Sequence, residues 1–187
     1  MWLDEVWFVR WPYSFRNWVK QGKSLTVPQR WDEEVDTAAL FVALDDDTQQ
    51  ALLHWAEKQP NSDEMTLFLD RLTAHYATQG KRFIVLCWDK ASWHTSKKTR
   101  RWIRAYNRKA KQEGLPRLLV VYHPTRSPWL MPLEAIFGWV KHQVLGGRVF
   151  ETLLELRQAV DLAFRQRVAW AKDRHDKALS KLLAAAA

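Results

Sequence analysis

Two acidic residues in the middle of the chain stand where a metal-dependent reaction would need them. Asp89 directly follows residues 83–88, an apolar run typical of a buried strand. A carboxylate at the end of such a strand lies at the edge of a sheet, where open α/β folds bind ligands. Glu134 follows Pro132 by two residues, which predicts that it lies in a first helical turn, because proline favours the start of a helix. Carboxylates gathered from distant segments suit Mg²⁺, so the pattern predicts a divalent-metal site.

The segments around these acids alternate between strand-like and helix-like patterns. Residues 48–59 are weakly helical, residues 9–34 indicate irregular or hairpin structure, and the acidic triplet 45–47 predicts a polar turn, with cation binding as the alternative. The order favours a mixed sheet flanked by helices, in the α/β class. Strands are predicted over 1–8, 35–44, 82–88 and 117–122, and helices over 62–79, 90–112, 132–145 and from 152 through 168.

The composition fits one globular domain with a polyanionic partner. The chain has 187 residues, of which 47% are hydrophobic, and no apolar stretch approaches the length of about 18 residues that would span a membrane. The start of the chain lacks the pattern of a signal peptide. The single cysteine, Cys87, lies in a predicted strand, so we interpret it as a packing residue in a reducing cytosol. A formal net charge of +8 favours nucleic acid as the partner.

The segment from Lys90 to Gln112 contains no acidic residue. Its apolar residues recur at helical spacing, which predicts an amphipathic helix with a basic face. A charge run is usually a solvated face, and that alternative stays open, but one-signed runs are less usual because like charges at helical spacing repel. We therefore interpret the face as a contact for DNA phosphates. The residues that would make this contact are Lys97, Lys98, Arg101, Arg104 and Arg108.

Short blocks of sequence surround three acidic positions. Residues 88–94 read Trp-Asp-Lys-Ala-Ser-Trp-His, and residues 127–134 read Ser-Pro-Trp-Leu-Met-Pro-Leu-Glu. Residues 3–5 read Leu-Asp-Glu, and residues 17–22 contain a Trp-x-x-x-Gly pattern. In this order, the blocks resemble the first acidic block, the DNASxH block and the SPxLNPxE block of mariner-type bacterial insertion-sequence transposases. The resemblance covers essentially the whole chain.

The resemblance implies a ribonuclease H-like fold and a triad formed by Asp4, Asp89 and Glu134. In the family such a triad holds two Mg²⁺ or Mn²⁺ ions, with Asp89 predicted to bridge them, for cleavage of DNA and strand transfer in transposition. Double-stranded DNA is the implied partner, self-association or pairing with a full-length transposase is possible, and no membrane partner is implied. The implied location is the cytoplasm of a bacterium, at the nucleoid. Lys90, His94 and Arg126 join the predicted DNA contacts, while a capping or packing role for His94 stays open.

Three departures from the family pattern leave a second hypothesis open. Lys90 and Met131 stand where the family usually has Asn, and the helix-turn-helix modules that precede the first acid have no counterpart here. We therefore expect residues 1–187 to form a single DDE catalytic domain, with residues 180–187 frayed. The alternative is a catalytically impaired, truncated or repurposed remnant that binds nucleic acid or a partner transposase.

Overall fold

The computed structural model of the protein describes residues 1–13, 20–24, 36–57, 59–124 and 127–166. Arg126, residues 17–19 of the predicted block at 17–22, and residues 180–187 therefore lie outside the described residues. The strands are β1 (Trp2–Val9), β2 (Thr37–Leu44), β3 (Ala51–Trp55), β4 (Phe83–Trp88) and β5 (Arg117–Tyr122). The helices are α1 (Ser62–Tyr76), α2 (Ser92–Thr95), α3 (Lys97–Glu113) and α4 (Pro132–Trp139).

The strands form a five-stranded mixed sheet in the order β3-β2-β1-β4-β5. The pair β2 and β3 is antiparallel, whereas β4 runs parallel to both β1 and β5. The carboxyl ends of β1, β4 and β5 therefore point to the same edge of the sheet. This arrangement, with α3 connecting the parallel strands β4 and β5, confirms the predicted mixed α/β sheet.

The segment predicted as weakly helical, residues 48–59, contains strand β3 instead. Asp45 explains the difference, because its Oδ1 accepts a hydrogen bond of 2.8 Å from the backbone N–H of Asp47 and closes a turn. Gln49 then adopts a left-handed φ of 61°, and the chain reverses direction. β3 consequently pairs with β2 from Leu44 opposite Ala51 to Leu40 opposite Trp55. The acidic triplet forms a polar turn, as predicted.

The core lies between the sheet and α1. Asn61 caps α1, because its side chain accepts hydrogen bonds from two backbone N–H groups of the first turn, so the cap is one residue earlier than Ser62, where the sequence suggested it. The predicted apolar stripe of this helix is buried. Its side chains meet residues of β1, β2 and β4 in one cluster, whose largest fully buried members are Phe41, Phe68, Trp88, Leu3, Met65, Leu69, Leu72 and Leu86.

The chain divides into two compact units, residues 1–6 with 39–133, and residues 7–38 with 134–187. In the second unit, α4 gives way to a π-helical turn at Val140–Val144, and residues 153–166 are helical. Thr152 begins that last stretch as predicted, since its Oγ1 accepts a hydrogen bond of 3.1 Å from the backbone N–H of Glu155. Within the described ranges, no helix has the length and apolar character needed to cross a membrane.

Helix α3 is fixed against strand β5 by one side chain. The amide of Asn107 donates a hydrogen bond of 2.9 Å to the carbonyl of Leu118 and accepts one of 2.7 Å from its backbone N–H. Gly114 ends the helix with a left-handed φ of 69°, as the sequence predicts. Helix and strand are therefore held in a defined register along the outer edge of the sheet.

We expect the change Tyr76→Phe to destabilise the fold by about 1.5–3 kcal/mol at neutral pH. The Tyr76 hydroxyl donates a hydrogen bond of 2.6 Å to Oδ2 of the buried Asp45. Burial raises the pKa of Asp45, but this bond and those from Asp47 and Thr48 outweigh it and leave the pKa below its ordinary value of 3.8. The stabilisation is therefore present above that value and is lost as the pH falls through the folded-state pKa.

Urea unfolding at pH 7 and pH 3 measures the effect of Tyr76→Phe, and Tyr106→Phe is the matched control. The Tyr106 hydroxyl donates to the neutral carbonyl of Pro116, so its removal should cost only about 0.5–1.5 kcal/mol and should cost the same at both pH values. A Tyr76→Phe penalty that is equal at pH 7 and pH 3 would contradict the charge-assisted bond.

Candidate active site

The first two predicted acids lie side by side at one edge of the sheet. Strands β1 and β4 are parallel, with Trp2 opposite Cys87, and the backbone N–H of Cys87 donates to the carbonyl of Met1 at 2.8 Å. Extending this register by two residues places Asp4 beside Asp89. Neighbouring strands are about 4.8 Å apart. The fold therefore brings together two acids that are far apart in the sequence.

Asp89 has one oxygen held by the protein and a carboxylate that solvent reaches. Its Oδ1 accepts a hydrogen bond of 2.8 Å from the backbone N–H of Ala91 and contacts Nδ1 of His94 at 2.7 Å. The side chain is 54% exposed. The hydrogen bond with His94 lowers the pKa of Asp89, and the Ala91 bond adds to this, although burial opposes both. A negative charge is therefore presented at the sheet edge.

His94 is buried between two carboxylates. Its ring is inaccessible to solvent and stacks on Trp88, with ring centroids 4.6 Å apart and an interplanar angle of 9°. While Nδ1 faces Asp89, Nε2 lies 3.3 Å from Oε2 of Glu5, an ion-pair contact without the alignment of a hydrogen bond. Burial lowers the pKa of His94, but Asp89 and Glu5 together raise it to about 9. His94 does not lie where a DNA phosphate could reach it, so the structure favours the packing alternative.

Glu5 belongs to the site, although we did not select it from the sequence. Its side chain is only 8% exposed, and its Oε1 accepts a hydrogen bond of 2.5 Å from Nε1 of Trp93. The alternation of side chains along a strand is the sequence signal that would have identified Glu5. Glu5 lies two residues after Leu3, so it points to the same face as that core residue, whereas Asp4 points to the other.

His123 is a second residue near the site that the sequence did not single out. It follows β5, and its backbone N–H donates to the carbonyl of Trp88 at 2.9 Å. Its ring stacks on Trp2, with ring centroids 5.5 Å apart. Burial lowers the pKa of His123, although the negative charge of Asp89 opposes this, so a neutral imidazole adjoins the acids.

The donor set suits a hard divalent cation. Ligand atoms of Glu5, Asp89 and His94 lie within 4.8 Å of one another. Both nitrogens of His94 already face carboxylate oxygens, so an ion reaching this edge would meet carboxylates rather than imidazole. Carboxylate oxygens are the ligands that Mg²⁺ prefers. The residues present therefore fit a magnesium or manganese ion that binds through the open carboxylate of Asp89, and a role for Asp4 beside it stays a prediction.

Glu134 lies in the first turn of α4 and is exposed, and Pro132 is the first residue of that helix, as predicted. Met131, where the family usually has Asn, is buried and acts as an apolar anchor for the start of the helix. Glu134 belongs to the second compact unit. Its place in the triad rests on its sequence block and stays a prediction.

The basic face of α3 lines a groove with a volume of about 820 Å³. The groove runs between α3 and strands β4 and β5, and its floor includes the apolar side chains of Phe83 and Leu119. Arg117 lies over the Phe83 ring at 4.8 Å, an addition from β5 that the sequence did not suggest. Among the residues that the structure describes, no acid lines the groove. Its cations are Lys97, Arg100, Arg101, Arg104, Arg108, Lys111 and Arg117.

Among the described residues, three of the predicted DNA contacts lie outside this groove, namely Lys90, His94 and Lys98. Lys98 forms an ion pair with Asp63 at the start of α1, so its charge is already partnered. Lys90 is exposed beside Asp89, and in the described part of the chain no ion pair joins the two. Lys90 therefore does not block the carboxylate, and it remains available to a phosphate near the acids.

Comparison with known proteins places this geometry in a family. Residues 1–157 match the model of the DDE superfamily endonuclease family. Among solved structures, the chain is similar to Mos1 transposase in its paired-end complex with the left transposon end, with a TM-score of 0.67 and 17% identity over 96% of this chain and 54% of that one. It is also similar to the catalytic domain of Mos1 mariner transposase, with a TM-score of 0.57 and 16% identity over 96% of this chain and 80% of that one. No curated protein sequence matches the chain significantly.

The two kinds of match support different statements. The chain spans about half the length of the longer Mos1 chains, and at 17% identity the likeness shows the fold, which is that of the ribonuclease H-like transposase catalytic domain. The family model covers most of this chain, including the blocks that contain Asp4, Asp89 and Glu134. The chain therefore belongs to the DDE superfamily endonuclease family.

Proposed function

We propose that the chain is the catalytic domain of a transposase that cleaves DNA phosphodiester bonds and joins the ends to new DNA. The observation that carries this proposal is the open carboxylate of Asp89, held by Ala91 and His94 after the carboxyl end of β4, inside the region that matches the family. The register of β1 and β4 supports Asp4 as its neighbour. The similar Mos1 structures support it, since they include a strand transfer complex and paired-end complexes with Mg and with Mn.

The proposed chemistry follows from the carboxylates. Two Mg²⁺ or Mn²⁺ ions held by Asp4 and Asp89, together with Glu134 as its sequence block predicts, would activate the attacking water or 3′-hydroxyl and stabilise the leaving oxygen. Asp89 is the residue best placed to serve both, because one of its oxygens is held by Ala91 and His94 while the carboxylate remains open to solvent. A DDE endonuclease implies a divalent metal, and the count of two ions is part of this proposal.

The groove along α3 supplies a path for the DNA backbone. Its cations extend from Lys97 to Lys111, about 21 Å of helix, or roughly six base pairs. Helix α3 crosses from the carboxyl end of β4 back to the amino end of β5, so Lys97 lies near the edge that carries Asp89 and Lys111 lies at the opposite edge. Positive charge would therefore line duplex DNA that enters the site over about half a turn of the DNA helix. In this proposal the domain acts on chromosomal DNA at a bacterial nucleoid.

Cleavage of supercoiled plasmid tests the proposed function. We expect the chain to nick plasmid DNA with MgCl₂ or MnCl₂ present, to stop when EDTA is added, and to resume when Mg²⁺ is restored in excess, because carboxylate ligands alone cannot activate the nucleophile. Nicking that continues in EDTA would contradict the proposal. Salt-sensitive DNA binding without any nicking would favour the alternative, a remnant that binds nucleic acid.

A further inference from the structure

The carboxylate of Asp89 is oriented by a chain of buried contacts. Its Oδ1 meets two donors, the backbone N–H of Ala91 and Nδ1 of His94, which fix the carboxylate's rotation about its side-chain bonds. The backbone donor is local and would be present in any such turn. The imidazole donor is different, because His94 is completely buried and reaches Asp89 from the core side of the sheet.

His94 is in turn held on every side. Trp88 stacks against its ring, and Trp93 meets it edge on at 6.3 Å. Its second nitrogen faces Oε2 of Glu5 at 3.3 Å, and within the described residues neither of these two buried atoms has an aligned hydrogen-bond partner. The imidazole cannot turn away from Asp89 without taking the ion-pair partner from Oε2 of Glu5 in the core, which is costly.

Glu5 is fixed at its other oxygen. Its Oε1 accepts from Nε1 of Trp93, and the backbone carbonyl of Trp93 accepts a hydrogen bond of 2.6 Å from Oγ1 of Thr99 at the start of α3. The line of contacts therefore begins at α3, passes through Glu5 and His94, and ends on the carboxylate at the sheet edge. Glu5 and His94 are buried, whereas Asp89 is open to solvent.

We propose that Glu5 and His94 are positioning residues that hold Asp89 in the rotamer that binds the metal, and that neither is itself a metal ligand. The inference rests on the proposed metal site at Asp89. It assigns the cluster of Glu5, His94 and Asp89 as a support for one ligand rather than as a separate metal centre. Groups that hydrogen-bond to a metal ligand typically change metal affinity about 10- to 100-fold when replaced.

The chain offers a matched control in His54. This histidine is also buried and also lies between two charged groups, with Nε2 2.9 Å from Oε2 of Glu64 and Nδ1 2.9 Å from Arg71. It stacks on Phe68 with ring centroids 5.6 Å apart, but it has no contact with Asp89. His54→Gln therefore reproduces the loss of a buried, stacked imidazole that contacts a carboxylate, without touching the site.

Calorimetric titration with MnCl₂ on the whole chain tests the proposal, with thermal melting to confirm that each variant folds. We expect Mn²⁺ to bind Glu5→Gln and His94→Gln about 10- to 100-fold more weakly than the unchanged chain, and His54→Gln with unchanged affinity. The double variant Glu5→Gln/His94→Gln should bind Mn²⁺ no more weakly than whichever single variant has the lower affinity. Both residues act on the metal through the same carboxylate, so their effects should not add. Equal affinity in the unchanged chain and in folded His94→Gln, or additive losses in the double variant, would overturn the inference.

Two further outcomes separate this inference from the proposed function. If the unchanged chain binds no Mn²⁺, or if Asp89→Asn binds it normally, the proposed metal site fails and the positioning role fails with it. Electron spin-echo spectroscopy of the Mn²⁺-loaded chain then addresses the role of the ring directly. We expect no nitrogen coupling from a ligating imidazole, and a coupling that disappears in His94→Gln would make His94 a ligand and overturn the inference alone.

Discussion

Replacing Asp89 with Asn should lower the rate of metal-dependent nicking by about 10³-fold or more. The loss of the charge removes the ligand best placed to hold a cation, and a bound metal contributes several kcal/mol of stabilisation to the transition state, with each 1.36 kcal/mol worth a factor of ten. Asn is close to Asp in shape and keeps an oxygen that can accept from the backbone N–H of Ala91, so the turn after β4 should persist. Single-turnover nicking of plasmid gives the rate, and thermal melting shows whether the variant keeps its fold.

Asp47→Asn is the control for the same chemical change at an exposed position. Asp47 is 75% exposed and pairs with the exposed Lys81, so its change should leave nicking unaffected. Nicking by Asp89→Asn at the rate of the unchanged chain would show that the reaction takes place elsewhere and would remove the assignment of the site.

Removing three cations from the groove should weaken DNA binding by roughly 10²-fold at about 0.1 M salt. The variant is Arg101→Gln/Arg104→Gln/Arg108→Gln, in which glutamine keeps the helical propensity of α3. Each phosphate contact releases roughly 0.9 of a counterion, so the slope of log affinity against log salt should fall by about 2.7 in magnitude. Fluorescence anisotropy with a labelled duplex, measured from low to high salt, gives the affinity and the slope.

The control removes the same number of charges outside the groove. Lys81, Lys98 and Lys109 are each paired with an acid, namely Asp47, Asp63 and Glu113, so their joint change to glutamine should alter the salt slope far less. Equal losses in the two triple variants would mean that net charge alone governs binding, and the groove would have no special part in it.

The position of Asp89 at a sheet edge could be predicted from the sequence because the pattern that indicates it is local. Asp89 ends an apolar strand, and parallel pairing with β1 brings Asp4 into register with it. Glu5 was missed because only the strand's orientation decides whether a carboxylate points to solvent or to the core. His94 was placed in the right segment, but its burial against Trp88 follows from the tertiary packing of β4 with α2, which no local pattern contains.

The fold likewise has elements that local sequence patterns predict and elements that depend on tertiary contacts. Helix α1 and the amphipathic α3 have long periodic patterns, and their existence was predicted correctly. β3 was missed because it has only five residues and its pairing with β2 depends on the turn that Asp45 closes. The basic stripe of α3 could be predicted from its helical spacing, whereas the contribution of Arg117 required the neighbouring strand.

The amide of Asn107 has a consequence for how the protein behaves in a crowded cell. β5 is the outermost strand on its side of the sheet, and a free strand edge is a template on which other chains can pair and aggregate. By satisfying both backbone groups of Leu118, the side chain occupies the place that an incoming strand would take. The groove's cations repel a second copy of the same chain. Sheet extension along this edge is therefore blocked at Leu118, which limits aggregation through β5 when the protein concentrates on a polyanion.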